Sequence, residues 1–169
     1  MQPLSYKDIT IKAKVSDFQK IEIKLGELKA TFLGIDYQTD YYFKTEKGKL
    51  KYRDGTIEKL ITHYDRIFAD GVERTIVFRY DLNPTEPEVR ELYKSELIGV
   101  TKKSRKIFYL GHIKVHLDKM ENGDQFIEIE AIDREDRWTL EHLKKQCSEL
   151  QFKLGISERD LIPTGYLTV

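Results

Sequence analysis

The chain has a single cysteine, Cys147, so no disulfide can form within it, and that economy of cysteine fits a reducing compartment. No apolar run approaches the length needed to span a bilayer, and no secretory pattern opens the chain. Together these absences point to a cytoplasmic protein with no membrane partner. Charge of one sign is not in excess either: 29 Lys and Arg stand against 29 Asp and Glu. A nucleic-acid binder usually carries a basic surplus, so nucleic acid is not an expected partner. There is no glycine-rich phosphate loop. The histidines His63, His112 and His142 lack zinc-ligand spacing with one another. Repeats, linkers and low-complexity stretches are absent, and 169 residues fit one domain spanning 1–169.

What is present is alternation. The run Phe126–Ile127–Glu128–Ile129–Glu130 reads as a half-buried strand, with Phe126, Glu128 and Glu130 on one face. Two carboxylates on one strand face repel each other unless a metal, a proton or basic partners sit nearby. Other segments repeat the style. Residues 7–15 put Asp8, Thr10, Lys12 and Lys14 opposite Ile9, Ile11, Ala13 and Val15. Further strands are predicted over 38–43, 49–54, 57–67, 73–82, 99–110, 112–120 and 125–133, with turns at 46–48, 54–55, 70–71 and 122–123. Ser16 is a predicted N-cap for a helix with Phe18, Ile21, Leu25, Leu28 and Phe32 as its apolar stripe. Helices are also predicted over 87–97 and 137–154, with a short one over 157–161. Cys147 falls on the apolar stripe of the 137–154 helix, where a thiol serves packing. Eight strands, mostly hairpin-linked, with three main helices make an α+β protein with a largely antiparallel sheet.

Six strands carry ionisable residues at alternate positions. The bases are Lys12, Lys14, Lys51, Arg53, Arg66, Lys103, Arg105 and Lys114; the acids are Asp8, Asp118, Glu128 and Glu130. Charged outer faces are ordinary on antiparallel sheets, so alternation alone leaves two readings, solvent or interior. Eight bases against four acids, in a neutral chain, favour an interior: a curled sheet would gather them into one groove or closed tunnel. Such a lining suits polyphosphate, because Arg offers a planar fork to phosphate oxygens and Lys a point charge. The acids suit Mg²⁺ or Mn²⁺, hard ions that take oxygen ligands and bridge phosphates.

The order of these motifs resembles the CYTH family of class IV adenylyl cyclases and thiamine triphosphatases, the triphosphate tunnel metalloenzymes. The family's opening E-x-E-x-K strand is matched by Asp8–Lys12. Gln38–Phe43 and Gly48–Arg53 resemble the next two strands of the cyclase branch. Lys103-Ser104-Arg105, His116-Leu117-Asp118 and Phe126–Glu130 follow in order, and Leu154–Ile156, Asp160–Ile162 and Tyr166 complete the likeness. The resemblance implies an eight-stranded antiparallel barrel forming a tunnel with helices outside. It implies Mg²⁺ or Mn²⁺ on Asp8, Asp118, Glu128 and Glu130. It implies a nucleoside triphosphate or inorganic polyphosphate on Lys12, Lys51, Arg53, Lys103 and Arg105, to which Arg66, Lys14, Lys114 and His116 are added. The likeness is closest to the class IV adenylyl cyclase branch and so implies cyclisation of ATP to cyclic AMP and pyrophosphate, with two alternatives: hydrolysis of tripolyphosphate or thiamine triphosphate, and binding without turnover. The last is motivated by Thr10, which stands where the family has its second glutamate and is a poor metal ligand. Asp40 is expected as a structural salt-bridge partner for the tunnel bases, and a homodimer is left open.

Overall fold

The computed structural model describes residues 7–69 and 72–162. The predicted turn at 70–71 and the motif residue Tyr166 lie outside the described residues. The strands are β1 (Lys7–Lys14), β2 (Thr31–Phe43), β3 (Lys49–Gly55), β4 (Lys59–Ala69), β5 (Val72–Leu82), β6 (Leu97–Leu110), β7 (Ile113–Met120) and β8 (Gln125–Asp133). The helices are α1 (Phe18–Glu27), α2 (Glu86–Leu92) and α3 (Leu140–Lys153), with a single 3-10 turn at Glu158–Asp160. The strands close into a barrel in the order β1-β5-β4-β3-β2-β6-β7-β8, every neighbouring pair antiparallel. The expected fold class, an α+β barrel with helices outside, is the one observed.

The apolar faces of the strands point outward, where helices cover them. Ile9, Ile11, Ala13, Val115, Leu117, Ile127 and Ile129 pack against Ile21 and Leu25 of α1 and Leu143, Cys147 and Leu150 of α3. A smaller cluster sets Phe43 and Ile61 against Leu92 of α2. The hydrophobic core therefore lies between barrel wall and helices, and the barrel interior is left to the polar faces. Among the described residues no helix is long and apolar enough to cross a membrane.

Several element ends depart from expectation. The α1 cap is Asp17, whose Oδ1 accepts from Gln19 N at 2.9 Å, rather than Ser16. The helix stops at Glu27 instead of reaching Phe32, because Lys29 adopts a left-handed φ of 62° and reverses the chain. Phe32 is consequently on β2, which begins at Thr31 rather than Gln38, and its ring meets Phe108 at 5.0 Å. A register shift between Phe32 and Gly34 breaks the alternation there, which hides the strand's first residues from period-2 reading. Helix α2 ends at Leu92, and Leu97 already belongs to β6. Helix α3 starts at Leu140 rather than 137, capped by Thr139, while Asp133 accepts from the Arg137 and Trp138 amides. The turn expected at Asp54–Gly55 comes later, since β3 runs through Gly55.

Leu143 is fully buried between α3 and the barrel wall. Leu143→Ala is expected to destabilise the protein by about 2–5 kcal/mol, read as a lowered urea midpoint with an unchanged m-value.

Candidate functional site

Closure turns the polar faces into the wall of one cavity of about 860 Å³, counting space open to solvent. Strand β1 contributes Asp8, Thr10 and Lys12, and β8 contributes Glu128 and Glu130. Strands β3 and β6 contribute Lys51, Arg53, Lys103 and Arg105; β7 adds Lys114 and His116, and β4 adds Arg66. The wall holds eight Lys and Arg against five Asp and Glu, an excess of three positive charges in a chain with none overall. Twelve of the thirteen sequence-predicted positions are buried or partly buried side chains; Lys14 is not. Its ammonium points to solvent at the end of β1, 3.9 Å from Asp124.

The interior cations are held by a few carboxylates. Asp40 is fully buried and receives Arg53 through Nε and Nη2, both at 2.8 Å. Lys103 Nζ adds a third contact at 2.8 Å, and Lys51 lies 3.8 Å away. Burial would raise the Asp40 pKa, but Arg53, Lys103 and Lys51 outweigh it and hold the carboxyl well below its usual range. Burial and the neighbouring Arg53 lower the pKa of Lys51, and burial likewise lowers Lys103. The expected structural role of Asp40 is thus what the geometry displays. Asp118 behaves in the same way. Both its oxygens accept from Arg105, each at 2.7 Å, and it stands behind Arg105 rather than on the cavity wall. Arg105 Nη2 also donates to Glu128 at 2.6 Å.

Aromatic faces hold further cations. Lys51 lies over Tyr42 and Tyr64, Arg66 over Tyr64 and Arg134 over Tyr80, at 4.8–5.9 Å from the ring centroids. Lys12 lies 5.5 Å over Phe126 and pairs in register with Glu128.

On the opposite part of the wall the acids meet. Asp8 and Glu130 face each other, and burial, with the Glu130 charge, raises the Asp8 pKa well above its usual value. Burial alone would raise Glu130 too, but contact with Asp8 and the Lys114 charge bring it down. The two buried carboxyls are thus driven apart, Asp8 upward and Glu130 downward. Asp8 Oδ1, Thr10 Oγ1 and His116 Nε2 are buried without a hydrogen-bond partner. His116 Nδ1 is 3.4 Å from Glu128 Oε1, so Nδ1 carries the proton of the neutral ring and Nε2 offers a lone pair to the cavity. Burial and Arg105 lower the His116 pKa, keeping the ring neutral.

Among the described residues no three of His, Cys, Asp and Glu cluster closely enough to hold a metal by themselves. Asp118 is committed to Arg105, and Thr10 supplies only a hydroxyl. The remaining donors still fit one hard divalent ion. Asp8 and Glu130 offer carboxylate oxygens, of which Asp8 Oδ1 is buried without a partner, and Mg²⁺ keeps several positions for water and phosphate.

Sequence reasoning missed Glu58 and Arg134. Glu58 shares the parity of Thr62, Tyr64 and Arg66, and Arg134 that of Glu128 and Glu130, so extending each face by two steps of alternation, through Leu60 and Ile132, reaches both.

A closed antiparallel barrel with a basic interior and an acidic corner defines a tunnel-type barrel protein. The CYTH domain profile matches residues 7–166. The chain belongs to the CYTH family. No curated protein matches it. Among solved structures, a Pyrococcus horikoshii protein is 28% identical, with 94% of this chain and 96% of that one covered and a TM-score of 0.79. A candidate adenylate cyclase from Vibrio parahaemolyticus shares 16% identity over 98% of this chain and 97% of its own, with a TM-score of 0.76. A candidate adenylyl cyclase from Hippeastrum, described as having a dominant triphosphatase activity, shares 14% identity. It covers 95% of this chain and 92% of its own, with a TM-score of 0.59.

Asp40→Asn leaves three buried cations without their shared carboxylate. It should destabilise the protein by about 3–5 kcal/mol, measured by urea unfolding. In the wild type, a depressed Asp40 pKa gives stability that is complete above the usual aspartate value of 3.8. That stability is lost as pH falls through the lower folded value. Asp40→Asn should therefore flatten the acid limb of the stability–pH curve.

Proposed function

We propose that the barrel binds a triphosphate chain with one Mg²⁺ or Mn²⁺ and hydrolyses it. The carrying observation is the enclosed wall with three net positive charges, centred on Arg53, Lys103 and Arg105. Asp40 and Asp118 fix two guanidinium planes before any ligand arrives, so little ordering is needed on binding. Inorganic tripolyphosphate is favoured over a nucleotide because the wall tyrosines Tyr42, Tyr64 and Tyr80 each already carry a protein cation against the ring. A stacking base would have to compete for those faces.

In the reaction, the oxygen of water attacks the terminal phosphorus, the bond to the bridging oxygen breaks, and orthophosphate and pyrophosphate leave. His116 Nε2 accepts the water proton, with Glu128 stabilising the imidazolium through Nδ1. Lys12, Arg53, Lys103 and Arg105 bind the chain and stabilise the charge that develops on it. A divalent ion on Asp8 and Glu130, when bound, supplies neutralising charge to phosphate oxygens. Cyclisation of ATP is the second reading, supported by the Gln38–Phe43 motif. There the ribose 3′-hydroxyl attacks the α-phosphorus and pyrophosphate leaves.

Calorimetric titration of tripolyphosphate and ATP, with and without Mn²⁺, on samples also assayed for product, separates these readings. Metal-dependent binding with orthophosphate release is expected. Release of cyclic AMP would move the assignment to the cyclase reading, and intact ligand would leave a binding protein. His116→Gln should lower kcat about 100-fold or more while changing tripolyphosphate affinity little. An unchanged kcat would remove His116 from the chemistry. Thr10→Glu adds a carboxylate beside Glu130, its register partner, and should tighten Mn²⁺ binding at least about tenfold in a titration without phosphate.

A further inference from the structure

The bend between β3 and β4 brings an acid into the basic tunnel. Asp36, fully buried on β2, accepts from the Ile57 amide at 2.8 Å, the Glu58 amide at 3.0 Å, Thr56 Oγ1 at 3.2 Å and Gln38 Nε2 at 2.7 Å. Gly55 permits this close return of the chain, because a Cβ there would run into the Glu58 carbonyl and the Asp36 carboxylate. The turn is thereby fixed, and it aims the Glu58 side chain inward. Glu58 Oε2 meets Lys114 Nζ at 2.5 Å. Its Oε1 lies 3.3 Å from Gln38 Nε2 and 3.7 Å from Arg53 Nη1.

Strand β7 and the start of β4 lie half a circuit apart in the barrel order, so the Glu58–Lys114 pair crosses the lumen. Tyr80 and Arg134 meet beside it, and Leu60 and Ile132 complete that end of the wall. Lys12 and Arg66 lie further along the parallel strands β1 and β4, away from Glu58. Glu58 thus occupies an anion position that a phosphate would otherwise take, and it presents a carboxylate to any phosphate chain advancing past Arg53.

We propose that Glu58 is a stopper that blinds one end of the tunnel, so that it accepts short polyphosphates end-on from the opposite end and does not thread long chains. This rests on the triphosphate-binding reading above and adds a length limit to it. Like charge in an enclosed site rejects the extending phosphate, and the Lys114 counter-charge is already taken. Burial would raise the Glu58 pKa, but Lys114 and Arg53 outweigh it and hold the carboxyl well below its usual range.

The test compares inorganic tripolyphosphate with linear polyphosphate of uniform length, about 20 phosphates, by calorimetry at equal chain concentration on wild type and Glu58→Gln. Wild type should bind the long chain no more tightly than tripolyphosphate. Glu58→Gln frees Lys114 and removes the repulsion, and should tighten long-chain binding at least about tenfold relative to tripolyphosphate, about 1.4 kcal/mol. A wild type that binds tripolyphosphate yet prefers the long chain, or an unchanged ratio in Glu58→Gln, overturns the stopper and leaves the binding reading standing. A wild type that binds neither anion sinks both. The wild-type comparison needs no variant, and a melting curve with each ligand repeats it on the intact protein.

Discussion

A closed barrel that turns its charged faces inward must keep several cations out of water, and Asp40 is the residue on which this depends. Three bases converge on one fully buried carboxylate, while a second carboxylate, Asp118, grips Arg105 through both oxygens. Charges removed from water are tolerated only where partners repay the lost hydration. The partners here are fewer than the bases. The interior is left short of negative charge, and an anion entering it meets guanidinium and ammonium groups already oriented by the protein.

This arrangement inverts the usual position of a hydrophobic core. The apolar strand faces look outward, and α1, α2 and α3 supply the cover. The helices are thus part of the site's support. Without α3 over Ile9 and Ile129, the outer face of β1 and β8 would be exposed, and those strands carry Asp8, Lys12, Glu128 and Glu130. Cys147 belongs to this cover. Its thiol donates to the Ile9 carbonyl at 3.5 Å, and burial pushes its pKa up to about 12, so it packs and does not react.

Strand parity carried most of the site into view from the sequence, because inward and outward faces alternate along every strand that keeps strict period. Lys51 with Arg53, Lys103 with Arg105 and Glu128 with Glu130 were legible for that reason. Parity failed where the ladder slips. On β5, His63 pairs with Arg79 but Tyr64 pairs with Val77, so Phe78 is an extra residue and both Tyr80 and Val77 reach the cavity. No single alternation can place both inside. Lys14 has the right parity and the wrong height, lying at the strand end where its long side chain finds solvent. Asp118 has the right face, but the pairing of β6 with β7 sets it opposite Arg105, and an acid beside a guanidinium in register is drawn to it rather than to the cavity. The ends of α1 and α2 were lost to left-handed or capping residues whose effect outweighs the apolar spacing beyond them.

The order of strands around the barrel has a consequence for how the chain is made. Strand β1 lies between β5 and β8, and its register with β8 joins Lys7 to Asp133. During synthesis from the N-terminus, β1 waits for its second neighbour until residue 133 has left the ribosome. Every hairpin from β2 to β5 can form earlier, but none encloses the lumen. Enclosure of the lumen, and with it the removal of Lys12, Arg53 and Lys103 from water, therefore depends on pairing the last strand with the first.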